Sequence, residues 1–100
     1  MIQPTVGRVI WYWPPLSWAQ RVLTPDQPFK ADVVYVHTDG TINVAGFDHF
    51  GQRFSDTGVE IVESDGKPSS DVACCTWMPY QKQVAAKEIP PVLHAAAPGA

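Results

Sequence analysis

Residues 31–48 read A-D-V-V-Y-V-H-T-D-G-T-I-N-V-A-G-F-D, and this stretch decides the fold class. Two runs rich in β-branched and aromatic residues flank Asp39-Gly40, a dipeptide typical of two-residue type I′ hairpin turns. The turn predicts a hairpin of strands at 31–38 and 41–48, with Tyr35 opposite Val44. Because side chains alternate along a strand, one face is then expected to carry Val33, Tyr35, Ile42 and Val44. Both faces are largely apolar, so barrel closure, a loop or another subunit should cover them.

Further short β-rich runs follow on both sides of the hairpin. The segment T-V-G-R-V-I-W-Y-W at 5–13 predicts a first strand, and later strands are predicted at 52–55, 59–63 and 72–77. Turns recur every eight to twelve residues, a spacing typical of small barrels. The fold is therefore expected to be mainly β: an SH3-like or partly open barrel of five to six strands.

Two segments of the predicted domain, residues 1–88, lie outside these strands. The proline-rich stretch at 14–28 is expected to form a long ordered loop with a short helical turn over 17–22, and good helix formers predict a short helix over 80–88. Residues 89–100 are rich in Pro and Ala, and we expect them to form an extended C-terminal arm. We expect this arm to lie along a neighbouring subunit, with Val92 and Leu93 as its apolar anchors.

Composition excludes several classes of function. The 100 residues fit one domain, and charged residues make up only 17%, which suggests that another subunit covers part of the surface. The net charge is −3 and the basic residues are scattered, so binding to a nucleic-acid backbone is not expected. No apolar run is long enough to span a membrane, and no signal peptide is visible, so we expect a cytoplasmic protein.

Candidate catalytic groups are few. Cys74 and Cys75 are adjacent, which disfavours a disulfide between them and fits a reducing compartment. A nucleophilic cysteine would need a base such as His49, but no motif places these residues together. The spacings of zinc ligands and of phosphate-binding glycine loops are absent from the sequence. We therefore expect no enzyme activity, no metal and no cofactor.

Aromatic residues are concentrated near the two ends of the predicted domain. Four tryptophans exceed what so small a core requires, and exposed Trp and Tyr are enriched where proteins meet partners. A flat ligand such as a nucleobase would also stack on them. The alternative is that most of them belong to the core. The candidate partner or ligand contacts are Trp11, Trp13, Trp18, Trp77, Tyr80, Gln81 and, in the arm, Val92 and Leu93.

Three segments carry a family resemblance: I-Q-P-T-V-G-R-V-I-W at 2–11, I-N-V-A-G-F-D at 42–48 and W-M-P-Y-Q-K-Q at 77–83. Over roughly residues 2–86 the chain resembles a family of small proteins from tailed bacteriophages and prophages to which no activity is assigned. The resemblance implies a phage origin and no mechanism. The loop at 14–28 and the segment beyond residue 87 depart from the family.

Two functions follow from these expectations. The first is a non-enzymatic phage protein that acts in a homo-oligomer or with other phage structural proteins, made in the host cytoplasm and carried into the virion. The second is an anti-defence protein that sequesters a host nucleotide signal. That second function needs a concave pocket with aromatic walls and convergent polar groups, whereas an assembly protein needs broad contact surfaces and arms.

Overall fold

The computed structural model describes residues 2–64, 66–69 and 71–87, and within them five strands and one α-helix. The elements are β1 (Val9–Trp13), a 3₁₀ helix (Leu16–Arg21), β2 (Phe29–Val36), β3 (Ile42–Phe47), β4 (Arg53–Ile61), β5 (Cys74–Thr76) and α1 (Pro79–Lys87). The strands form a closed barrel in the order β1-β2-β3-β4-β5. The expected small, mainly β barrel is confirmed. The expected arm at 89–100, with Val92 and Leu93, lies outside the described residues.

A parallel pair of strands closes the barrel. β1 to β4 form an antiparallel meander, and β5 then pairs with β1 on one side and with β4 on the other. The β4–β5 pair is parallel, with Glu60 opposite Cys74 and Ile61 opposite Cys75. Two parallel strands need a connection of about a dozen residues, which explains the long segment at 62–73. Part of this segment lies beside β1 and shapes the site described below.

The core lies inside the barrel. Its buried members are Ile10, Tyr12, Phe29, Ala31, Val33, Ile42, Val44, Phe54, Val59, Cys75 and Trp77. Alternation sets this arrangement, because Ile10 and Tyr12 of β1 point inward while Trp11 and Trp13 point outward. The Tyr12 hydroxyl donates to Asp56 across 2.8 Å, so the phenol is satisfied inside the core. Burial, followed by the Asp56 carboxylate, raises the pKa of Tyr12 and keeps the phenol protonated.

The central hairpin forms, but its turn is not the predicted two-residue type I′ turn. That turn requires a positive φ at both central residues, whereas only Gly40 has one, at 93°. The N–H of Gly40 donates to the carbonyl of His37 across 3.0 Å. The N–H of His37 donates to the carbonyl of Thr41 across 2.9 Å. These bonds define a three-residue loop with a type I turn followed by a left-handed glycine. The extra loop residue moves the strand register by one, so Val36 pairs with Ile42.

A bulge in β2 corrects a second expectation. The register shifts again between Val33 and Tyr35, which places Val33 opposite Val44 and Tyr35 opposite Asn43. Because a bulge adds one residue to a strand, Tyr35 turns to the outer surface instead of sharing the inner face with Val33. The face that carries Val33 therefore lacks the aromatic residue expected on it, and the exposed Val34 occupies the bulge.

Among the strand boundaries that differ from those predicted, two lie at glycines. The predicted strands at 52–55 and 59–63 are one strand, β4, with a bulge at Gly58, which has a φ of 64°. The Asn43 side-chain oxygen accepts from the Gly58 N–H across 2.9 Å and stabilises this bulge. The first strand begins at Val9 instead of residue 5, because Gly7 has a φ of 97° and interrupts the regular ladder.

The corner between β5 and α1 accounts for the W-M-P-Y-Q motif. Pro79 occupies the first helical position, where its missing N–H costs nothing. The Gln81 side chain closes the corner: its Oε1 accepts from the Met78 N–H across 2.8 Å, and its Nε2 donates to the Val9 carbonyl across 2.7 Å. In a capping box, a Glu or Gln at the third helical position accepts from the backbone N–H of the N-cap residue, and the first bond is of this kind. Gln81 thus fixes α1 against the start of β1.

Candidate functional site

A large cleft lies on the outer wall of the barrel, between the loop at 14–28 and residues 67–69 and 71. We call it the loop groove. Its volume is about 790 Å³, and its lining includes Trp13 and Cys74 of the barrel wall. The walls are mostly apolar: Pro14, Pro15, Leu16, Ala19, Val22, Leu23 and Pro25 on one side and Pro68 on the other. Polar groups of Gln27, Lys67, Ser69 and Asp71 lie along its lining.

Trp13 and Cys74 belong to the groove because of strand register. They are direct partners in the β1–β5 pair, so both side chains point outward from the same face. Trp13 is only 6% exposed, and its indole N–H donates to the Thr76 hydroxyl across 3.0 Å. Both partners of this hydrogen bond are buried. Trp13 is therefore a rigid part of the groove wall whose polar atom is already paired.

An ion pair holds the loop over the barrel. Arg21, at the end of the 3₁₀ helix, places Nε 2.8 Å from an oxygen of Asp48, and its guanidinium also donates to the Arg53 carbonyl across 2.7 Å. Asp48 lies buried in the β3–β4 turn and accepts from the N–H groups of Phe50 and Gln52. Burial by itself raises the pKa of Asp48, but these hydrogen bonds and Arg21 outweigh it and hold that pKa below its ordinary value.

His49 makes the second attachment of the same loop. Its Nδ1 accepts from the Leu23 N–H across 2.9 Å, and its Nε2 lies 3.3 Å from the Pro28 carbonyl. The ring packs edge-on against Phe29, with 4.9 Å between centroids. Asp48-His49 is thus a structural pair that positions the groove wall. The sequence identified this dipeptide only as part of a turn, since nothing in its local pattern indicates partners more than twenty residues away.

Trp18 anchors the 3₁₀ helix to the end of the barrel. Its ring lies 5.7 Å from that of Tyr12 and 5.9 Å from that of Phe54, and the Arg21 guanidinium lies 5.0 Å from its centre. The predicted helical turn at 17–22 is confirmed as the 3₁₀ helix Leu16–Arg21. Trp18 is therefore partly buried against the core, and its indole fixes the wall that carries Leu16 and Ala19.

Trp11 differs from Trp13 although both point outward from β1. It is half-buried, and its ring meets Trp13 edge-on at 6.3 Å. A second cleft of about 520 Å³ lies against it, lined also by Gln27, Lys30 and Lys67. Among the described residues, the indole N–H of Trp11 has no hydrogen-bond partner. Trp11 thus presents part of its ring to this cleft.

The remaining candidates lie elsewhere. Trp77 is buried in the core, with the Arg8 guanidinium 5.8 Å from its ring. Tyr80 is 73% exposed at the start of α1, and Gln81 makes the two structural hydrogen bonds described above. The structure brings together Trp11 and Trp13, and it separates them from Trp77, Tyr80 and Gln81. Val92 and Leu93 are outside the described residues.

The thiols lie on opposite sides of the barrel wall. Cys75 is in the core and Cys74 lines the loop groove, and both are free and buried. Burial raises the pKa of both thiols, with a smaller contribution from Glu60 at Cys74 and from Cys74 and Asp56 at Cys75. The reactive thiolate is therefore disfavoured. No group of three or more His, Cys, Asp or Glu side chains suited to a metal occurs within residues 2–64, 66–69 and 71–87.

Within the described part of the chain, no helix has the length and apolar character needed to cross a membrane. Comparisons of the chain with known protein families, with curated proteins and with solved structures found no match.

Proposed function

We propose that this protein is a non-enzymatic phage assembly protein that forms an ordered homo-oligomer, with the loop groove of each copy receiving the C-terminal arm of another. The observation that carries the proposal is the groove itself, which is lined by prolines and edged by exposed leucines. The phage context rests on the resemblance of residues 2–86 to tailed-phage proteins, and the arm rests on the sequence of residues 89–100.

The rim of the loop groove supports protein docking. Leu16 is 68% exposed and Leu23 is 65% exposed. Large aliphatic side chains exposed beside a concave apolar surface are typical of sites that another polypeptide covers. The Arg21–Asp48 ion pair and the Leu23–His49 hydrogen bond hold the wall in place, so little ordering is required on binding.

The arm has the chemistry that such a groove accepts. Residues 89–100 read I-P-P-V-L-H-A-A-A-P-G-A, in which Pro90-Pro91 favours the extended polyproline II conformation. Such segments bind in grooves lined by aromatic and proline residues at a low entropic cost. Val92 and Leu93 supply the apolar side chains that would contact Leu16 and Leu23. Because the arm and the groove are different surfaces, each copy inserts its arm into one neighbour and receives the arm of another in its groove. Repetition of this contact produces a ring or a filament.

The proposal is tested by measuring particle mass with light scattering on purified protein. Deletion of residues 89–100 and the double substitution Leu16→Glu/Leu23→Glu should each convert the oligomer into a monomer with an unchanged circular dichroism spectrum. Val6→Glu is the matched control, since Val6 is 66% exposed and does not line the groove. A synthetic peptide of residues 89–100 should bind the truncated protein and not its Leu16→Glu/Leu23→Glu variant. Wild-type protein that is monomeric at all concentrations would contradict the proposal, as would an oligomer unaffected by either change.

A further inference from the structure

The register of the barrel aligns four side chains in one row across its outer wall. Trp11 of β1 is the direct partner of Lys30 in β2, Lys30 is the partner of Phe47 in β3, and Phe47 is the partner of Arg53 in β4. Direct partners in antiparallel strands point to the same side of the sheet. The outer wall therefore carries a row that alternates aromatic, cationic, aromatic, cationic. We call these four residues the wall row.

The side chains of the wall row are accessible. Phe47 is 54% exposed, Lys30 and Arg53 are exposed, and Trp11 is half-buried. The exposed ring of Phe47 offers a flat apolar surface on which a planar ligand can stack. Trp11 is held edge-on by Trp13, so its ring has a fixed orientation before any ligand binds.

The wall row is positively charged between its two aromatic rings. Lys30 lies between Trp11 and Phe47, and Lys67 lines the cleft at the Trp11 end. Lys30 also lies 3.8 Å from the Asp32 carboxylate, but both side chains are largely exposed. Such a surface pair contributes little, so the ammonium group remains able to turn toward an anion. Asp26 and Gln27, at the edge of the same cleft, offer an acceptor and an amide.

We propose that the wall row binds a dinucleotide unit, with one base stacked on Trp11, the next on Phe47 and the connecting phosphate at Lys30. Stacking platforms combined with cations are the means by which proteins hold unpaired nucleotides without reading a base sequence. Neighbouring strands are about 4.8 Å apart, so the backbone positions that carry the two rings lie about 10 Å apart, with that of the lysine midway. Arg53 continues the row beyond Phe47 and meets a terminal phosphate.

The net charge of −3 and the nearby Asp26 and Asp32 limit the ligand to a short one. A long polyanion would be repelled by the rest of the surface, whereas a single phosphate needs only one lysine. The four residues of the wall row do not line the loop groove, although Trp13, Gln27 and Lys67 line both the groove and the cleft beside Trp11, and the two proposals are tested with different variants. Failure of one proposal therefore leaves the other standing.

The experiment titrates thymidylyl-thymidine (TpT) into the protein and follows tryptophan fluorescence and calorimetric heat. Saturable quenching is expected for wild-type protein. Trp11→Ala and Phe47→Ala should each weaken binding about 5- to 100-fold, the range found for loss of one base–aromatic stack. Tyr35→Ala is the control, since Tyr35 is an equally exposed aromatic outside the row, and it should bind like wild type.

A second ligand isolates the phosphate contact. The dinucleoside with a neutral methylphosphonate linkage should bind wild-type protein more weakly than TpT, and Lys30→Gln should bind the two equally. Absence of saturable binding at millimolar TpT would overturn the proposal. Equal affinity of wild type, Trp11→Ala and Phe47→Ala would do the same. If Trp11→Ala loses the native circular dichroism spectrum, the binding measurements on Phe47→Ala and Lys30→Gln test the proposal without it.

Discussion

The backbone N–H of Leu23 donates to Nδ1 of His49 across 2.9 Å, and this bond ties the wall of the loop groove to the turn between β3 and β4. An acceptor role for Nδ1 requires the proton of the neutral imidazole to be on Nε2, which faces the Pro28 carbonyl.

Removal of this bond should loosen the wall. His49→Ala leaves the Leu23 N–H without its acceptor, so the loop should open more often and the hydrogen-exchange protection of the Leu23 amide should drop. His37→Ala removes an imidazole that makes no contact with Leu23 and should preserve that protection. Equal protection of the Leu23 amide in wild type and His49→Ala would refute the assignment.

Asp48 should stabilise the fold in a pH-dependent manner with a defined sign. Its pKa is lower in the folded protein than in the unfolded chain, so its contribution is complete above the unfolded value of about 4 and is lost as pH falls through the folded value. Asp48→Asn should lower the urea midpoint near neutral pH, and the difference from wild type should shrink at about pH 3. Asp26→Asn, at an exposed position, is the control. A difference that stays constant down to that pH would contradict the linkage.

Gly46 should tolerate no side chain. A Cβ at this position of β3 would overlap the Lys30 carbonyl oxygen and lie 2.9 Å from the Ala31 Cα, and neither backbone atom can move without breaking the β2–β3 ladder. Gly46→Ala should lower the free energy of unfolding by at least about 2 kcal/mol. Gly66→Ala is the matched control, because nothing lies within 4 Å of its Cβ. Denaturant midpoints that fall equally for both variants would argue against the close approach.

Tyr80 and Gln81 are neighbours in α1, but we expect their substitutions to affect the stability of the fold differently. Gln81→Ala removes both hydrogen bonds that fix the helix to Met78 and Val9, and should cost about 1–3 kcal/mol. Tyr80→Ala removes an exposed ring and should change stability by less than about 0.5 kcal/mol. Guanidinium unfolding of the two variants provides the measurement. A larger loss for Tyr80→Ala than for Gln81→Ala would mean that the ring, and not the amide, holds the corner.

The cysteines should be unreactive in the folded protein. Burial raises the pKa of both thiols, which leaves little thiolate to attack an alkylating reagent. We expect iodoacetamide to label Cys74 and Cys75 slowly under native conditions and rapidly in denaturant, as read by mass spectrometry. Rapid native labelling of Cys74, at the edge of the loop groove, would instead indicate a reactive thiol and revive a catalytic function.

Local chemistry was readable in the sequence wherever a few neighbouring residues determine it. The helix formers at 80–88 predicted α1, and the six predicted β-rich runs fall on the five strands, two of them on β4. Asp39-Gly40 correctly marked a reversal, because glycine is the residue that accepts the left-handed conformation required there. Alternation is also a local property, and it places Trp11 and Trp13 on the same face of their strand.

What the tertiary structure alone decided is which strand lies beside which, and in what register. The bulges at Val34 and Gly58 and the additional turn residue each shift pairing by one, and a one-residue shift moves a side chain to the opposite face, as it did for Tyr35. The parallel pairing of β4 with β5, the contact of His49 with Leu23, and the alignment of Trp11, Lys30, Phe47 and Arg53 all join residues distant in sequence. Periodicity within one strand carries no information about its partner's register, because that register is fixed only when the closed barrel brings the strands together.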